Sequence, residues 1–157
     1  MAIFIGTHEN KVDQKGRVSV PAAFRTALAN LPFQGIVVFP SHRADAIEGC
    51  GMDFMEQLNA RVQDIALFSE THDDLATTIF AESQQLPFDS TGRIQLPEAL
   101  RDHAGIGDKA AFVGMGTLFR IWEPGRLVAH KAAARQRARE QELTLPAPGH
   151  NPGGGGR

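Results

Sequence analysis

Apolar and polar residues alternate with a period of two in two short stretches of the chain, and a proline closes each. In the first, Val18 and Val20 share one face while Arg17 and Ser19 share the other. In the second, Ile94 and Leu96 oppose Arg93 and Gln95. This alternation predicts half-buried strands. Pro21 and Pro97 end them, because proline lacks a ladder donor and suits a first helical turn. Short helices are predicted near 21–29 and 97–103, seating Phe24 or Leu100 on the sheet; Phe24 and Leu28, four apart, share a helix face. Residues 3–12 read as an apolar strand, a break at Gly6 and a polar strand ending in Val12. Residues 85–88 form a weaker counterpart. GIVVFP at 35–40 reads as a buried strand, and 110–122 as two strands around a Gly114–Gly116 turn.

The remaining pattern is helical or loose. Residues 41–65, with Ser41 as N-cap, are predicted to hold two short helices around Gly49–Gly51. Phe54, Met55, Leu58, Val62 and Ile65 make a helical stripe, read as core or subunit contact. Residues 70–80 are another helix candidate, and Pro124 starts one running to about 142. The Pro- and Gly-rich residues 143–157 read as a disordered tail.

The two alternating stretches belong to a repeat. DQKGRVSVPAAFR at 13–25 and DSTGRIQLPEALR at 89–101 align without a gap at an offset of 76. Asp at the first turn position accepts hydrogen bonds from backbone N–H groups ahead of it, and Gly at the fourth takes the left-handed conformation. Asp13, Gly16, Asp89 and Gly92 are therefore read as a structural motif, with Asp13–Arg17 and Asp89–Arg93 pairing across each turn. The expected organisation is a first repeat with a helical insertion at 1–75, then a second repeat and C-terminal helix at 76–142. Neither half is large enough to close a core alone. The expected fold is mainly β with short helices (α+β), the two halves meeting around a pseudo-twofold axis.

Charge changes the picture more than composition does. Net charge is −2, which by itself disfavours a polyanionic partner, but the charges are segregated. Residues 40–90 hold ten acidic side chains against Arg43 and Arg61, whereas 126–139 hold Arg126, Lys131, Arg135, Arg137 and Arg139 with no acid. Residues 8–25 add Lys11, Lys15, Arg17 and Arg25 against Glu9 and Asp13. Such a chain can present a basic face. Lys15 stands at the tip of turn one, and Arg17 lies on the polar strand face with Lys11 opposite it. The second turn keeps Arg93 but carries Ser90 and Thr91 at its tip. Arginine on such a turn can meet phosphates or grip guanine with two donors.

Other chemistry finds little support. The lone Cys50 excludes an internal disulfide, and no segment has the apolar length of a membrane span, so a cytoplasmic protein is expected. The six histidines lack metal-ligand spacing, His72 beside Asp73 and Asp74 being the best cluster, and no metal or cofactor is expected. No nucleophile elbow or nucleotide loop occurs. Asp13 and Asp89 could form a carboxylate dyad across the twofold, but an arginine beside each opposes proton sharing. The chain is read as a binding protein and not an enzyme.

The duplicated DxxGR…P…R unit, with Phe4 and Gly6 near the start and the closing Ile121–Trp122, resembles the MraZ family of bacterial transcriptional regulators over residues 1 to about 142. The resemblance implies an AbrB-like swapped-hairpin, double-split β-barrel with both halves in one chain, assembled into a ring-shaped homo-oligomer. It implies sequence-specific binding of double-stranded DNA at direct repeats upstream of its own gene, control of the division and cell-wall gene cluster, and nucleoid association. Lys15 and Arg17 would face DNA, with Lys11 and Arg93 beside them. The acidic 41–74 stretch is longer and more irregular than is usual in the family, the second turn lacks a charged tip, and the Gly-rich tail matches nothing in the pattern. Two other readings stay open: a single-function AbrB- or antitoxin-like regulator, and a module whose charged turns bind an acidic protein.

Overall fold

The repeated alternation places one short strand from each copy side by side. In the computed structural model, which describes residues 1–142, β2 (Arg17–Ser19) pairs antiparallel with β6 (Arg93–Gln95). The predicted tail at 143–157 lies outside the described residues. Val18 sits opposite Ile94, while Arg17 faces Gln95 and Ser19 faces Arg93. Val18 and Ile94 turn inward because their apolar surface is the only part of the ribbon that water disfavours.

The other six strands form one antiparallel sheet. They are β1 (Thr7–Lys11), β3 (Gly35–Pro40), β4 (Ile47–Cys50), β5 (Gln84–Pro87), β7 (Lys109–Gly114) and β8 (Phe119–Trp122). Their order is β1-β7-β8-β4-β3-β5. Strands preceding each turn (β1, β5) lie at the two edges, and β4 meets β8 at the centre. The ladder ends at β1 and β5 and does not close on itself. At Val12 and Phe88 the chain leaves these edges and enters the turns, so the next strands build the separate ribbon instead of extending the sheet. Among the described residues the fold is thus mixed α+β with a mainly antiparallel sheet and five α-helices.

Helices α1 (Ala22–Leu28) and α4 (Glu98–Ala104) follow the two prolines, as predicted, and bury Phe24, Leu28, Leu100 and Ala104. These side chains, with Val18, Val20, Ile94 and Leu96, close the main core against the sheet face carrying Ile36, Val38, Phe112 and Ile121. At its centre Phe24 meets Phe4 and Phe119 with ring centroids 5.1 and 5.2 Å away. Phe4 approaches edge-on, the geometry favoured by the aromatic quadrupole.

The opposite sheet face carries two smaller clusters. Val37, Phe39 and Cys50 pack beneath Met55 of α2 (Met52–Gln63), which fulfils the core reading of the Phe/Met stripe. Burial pushes the Cys50 thiol up to about 12, as expected of an inert apolar cysteine. Ala111 and Trp122 pack with Leu127 near the start of α5 (Pro124–Glu140). Residues Met1–Leu127 form one compact unit; a second begins at Val128. Strands from 1–75 and 76–142 are interleaved within the first, so each half of the sequence lines the same core.

Two segments depart from the sequence reading. Residues 41–50 are not helical: bends lead into β4, and Ser41 Oγ accepts from the Arg43 backbone N–H within a bend rather than capping a helix. Glu48 disguised this strand, being a poor strand former; it is buried here because Arg120 of β8 meets it at 2.8 Å. The helix expected over 70–80 divides into α3 (Glu70–Leu75), capped by Ser69 Oγ, and a π-helical turn over Ala76–Ala81. That turn brings Ile79 and Phe80 onto the α2 cluster.

Candidate nucleic-acid interface

Each Asp-x-x-Gly-Arg segment folds into the same hydrogen-bonded turn. In the first, Asp13 N–H donates to Arg17 O at 3.0 Å and Gly16 N–H to Asp13 O at 3.0 Å. Asp13 Oδ1 accepts from the Lys15 and Arg17 backbone N–H groups, and Oδ2 accepts from Arg17 Nε at 2.6 Å. In the second, Asp89 Oδ1 accepts from the backbone N–H of Thr91 and Arg93 and from Thr91 Oγ1, while Oδ2 accepts from Arg93 Nε at 2.9 Å. The carboxylates organise the turns as expected from sequence.

These bonds favour the ionised carboxyl. The backbone N–H of Arg17, aided by its side chain and by the Lys15 N–H, holds Asp13 below its ordinary value of 3.8. The backbone N–H of Arg93 and both Thr91 donors hold Asp89 well below the usual carboxylate range. Because both folded-state values are depressed, their stabilising effect is complete above pH 3.8 and is lost only as pH falls through the lower folded values. Carbon-detected NMR titration should therefore show both carboxyls changing charge below the ordinary aspartate value of 3.8. An ordinary midpoint at either residue would contradict the turn geometry.

Glycine is required at the fourth turn position for two reasons. Gly16 has φ +84° and Gly92 φ +79°, where an L side chain is strained. A Cβ on Gly16 would also lie 2.7 Å from Leu96 O, and one on Gly92 2.7 Å from the Arg25 guanidinium. Each turn is thus packed against the other copy's strand or helix. Leu96 N–H donates to Gly16 O and Val20 N–H to Gly92 O, so the two turns brace each other. Arg25 and Arg101 continue this exchange: each Nε donates at 3.1 Å to its own strand's last carbonyl, Val20 O or Leu96 O, while the guanidinium covers the opposite turn's glycine. Sequence reading noted these two arginines as matched but gave them no role; their matched spacing from both glycines was the available signal.

The ribbon presents its polar side outward. Ser19 and Gln95 are exposed, and Arg17 and Arg93 half-exposed, above the buried Val18 and Ile94. Each ion pair uses one guanidinium N–H; the remaining donors of Arg17 and Arg93 have no protein partner among the described residues. Gln95 Nε2 donates to Lys15 O at 2.9 Å and ties the first turn tip to the second strand. Lys15, Arg17, Arg93 and Arg101 line one depression of about 640 Å³, with Asp89 and Glu98 on its wall. Lys11 does not join them. Register places it opposite Lys109 of β7, and Asp13, not Lys11, stands across the turn from Arg17. The chain's bend at Val12 separates the two residues onto different ladders.

The outward face of the ribbon carries two arginines, a glutamine and a serine, and a DNA major groove admits a two-stranded ribbon. Its two guanidiniums are oriented by carboxylates, so little freedom would be lost on binding an anion or a polar edge.

Comparison with known proteins follows this geometry. The family profile for MraZ protein matches residues 79–142, which include the second turn and β6. Transcriptional regulator MraZ of Pelagibacter ubique (strain HTCC1062) is 44% identical, covering 91% of this chain and 92% of the relative. The protein of that name from Rickettsia akari (strain Hartford) is 42% identical over 92% of this chain and 97% of the relative. That from Gluconacetobacter diazotrophicus is 41% identical over 98% of both.

Proposed function

Because the chain belongs to the MraZ family, we propose that it regulates transcription by binding double-stranded DNA through the β2–β6 ribbon. The observation that carries this reading is the pair of carboxylate-oriented arginines, Arg17 and Arg93, on one outward two-stranded ribbon. Lys15 at the first turn tip adds a phosphate contact. Lys11, on the sheet edge beside Lys109, serves at most as a peripheral cation. The two turns brace each other as the swapped hairpins of an AbrB-like core would, with both hairpins supplied by one chain.

The operator consists of direct repeats upstream of the protein's own gene, and the regulated genes are those of the division and cell-wall cluster. The protein works in the cytoplasm, at the nucleoid; among the described residues no helix is long and apolar enough to cross a membrane. One ribbon offers few phosphate contacts, and a net charge of −2 opposes tight binding by a monomer. Several subunits in a ring-shaped homo-oligomer would place successive ribbons on successive repeats, where linkage converts weak contacts into a tight complex. No enzymatic step is assigned to these residues.

A gel-shift titration against the upstream region tests the reading. Salt-sensitive binding that weakens strongly when the repeats are scrambled is expected. Equal affinity for scrambled DNA would overturn sequence-specific recognition, and no binding at low salt would overturn a DNA partner altogether.

A further inference from the structure

Helix α5 continues past the last residue it buries. After Leu127, every residue from Val128 to Glu142 is exposed or half-exposed. A helix with no apolar face needs another reason to persist, such as strong intrinsic propensity or ion pairs along its surface. Propensity is present: Ala129, Ala132, Ala133, Ala134 and Ala138 are strong helix formers. Ion pairs are not: Arg135, Arg137 and Arg139 make none among the described residues, and Gln136 rather than an arginine donates to Glu140.

The cations are unevenly arranged around this helix. Lys131, Arg135 and Arg139 recur every four residues, which stacks them on one side about 6 Å apart along the axis. Arg137 lies about 200° around the helix from Arg135. Residues 126–139 contain no acid. Arg135 and Arg139, without an ion pair among the described residues, complement a surface carrying regularly spaced negative charge, and duplex DNA bears about one per 1.7 Å of axis.

We propose that the helix from Val128 to Glu140 is a second DNA contact, in which Lys131, Arg135 and Arg139 lie along the phosphate backbone without reading sequence. The inference rests on the DNA reading above and adds a surface distinct from the ribbon. It assigns two tasks to two places: the ribbon discriminates between sequences, and the helix supplies affinity for any duplex.

The test uses the full-length protein with two fluorescent duplexes, the upstream region and a scrambled version of it, titrated over a range of salt. Each phosphate contact steepens the log–log salt dependence of binding by about 0.9. Arg135→Gln/Arg139→Gln should flatten that dependence by about 2 for each engaged subunit on both duplexes and leave the ratio of their affinities unchanged. Arg137→Gln, on the far side, should alter it by less than half of one contact. Glutamine keeps helix propensity close to that of arginine, and circular dichroism checks that the helix persists. A similar change per charge from either side would overturn the docked stripe in favour of a diffuse field. An unchanged salt dependence overturns the inference while the DNA reading survives, including where the double variant instead changes subunit number. Failure of the unaltered protein to bind either duplex removes the DNA reading itself, and this inference with it.

Discussion

Arg17→Ala should bind the upstream DNA about tenfold to a hundredfold more weakly while melting within a few degrees of the unaltered protein. The binding loss follows from removing an oriented guanidinium worth about 1–3 kcal/mol of recognition. In an oligomer the loss recurs at every engaged ribbon and should reach the upper end of that range. The small stability change follows from the geometry of the turn. Asp13 Oδ1 still accepts from the backbone N–H groups of residues 15 and 17, which side-chain truncation does not remove. The lost ion pair is substantially exposed, at 40% and 36% for its two side chains, and exposed pairs stabilise little. Asp13→Ala reverses the emphasis: both backbone donors lose their acceptor and the turn loosens, so melting temperature falls along with binding. Gel shifts and melting curves on the two variants separate recognition from scaffolding. An Arg17→Ala protein with undiminished operator affinity would remove the ribbon from the interface.

Phe24→Ala should cost about 3–5 kcal/mol of folding stability. The ring is 1% exposed and meets Phe4, Phe112 and Phe119 as well as the His8 imidazole. Those partners come from β7, β8 and the N-terminal segment, so they cannot all close on the cavity at once. Against a total stability of about 5–15 kcal/mol this approaches global unfolding. Phe24→Leu keeps much of the volume and should cost less than about 1.5 kcal/mol. Chemical denaturation of both variants provides the check: a midpoint that barely moves for Phe24→Ala would show that helix α1 does not seal the core.

What the sequence revealed depended on whether a residue's cue was local. The turns were legible because Asp13 and Asp89 bond to atoms within four residues of themselves. The strand at 35–40 was legible because it is apolar on both faces and buried throughout most of its length. β4 was missed because what allows IEGC to be a strand lies elsewhere in the chain. Arg120 neutralises Glu48, and the ring of Phe119 occupies the space a side chain at Gly49 would need. The π-helical turn was missed because its backbone answers to packing of Ile79 and Phe80 and carries no sequence signature of its own. In the candidate interface, Arg17 and Arg93 were anticipated from charge and periodicity. Lys11 was misplaced opposite Arg17 because the chain changes ladders at Val12, which local alternation does not signal. Arg25 and Arg101 escaped a role because each covers a glycine from the other repeat, a relation that only three dimensions display.

The pairing of β2 with β6 also bears on how the protein is made. Val18 gains its β6 partner only when residue 94 is available, 76 positions later in the chain. At a synthesis rate of about 5–20 residues per second, the first hairpin waits roughly 4–15 seconds at the ribosome with an apolar strand uncovered. During that interval it resembles an unpaired sheet edge and is open to chaperones or to the same hairpin on a neighbouring nascent chain. Slowing translation between the two repeats would lengthen that exposure and lower the yield of soluble protein, although the finished sequence would be identical.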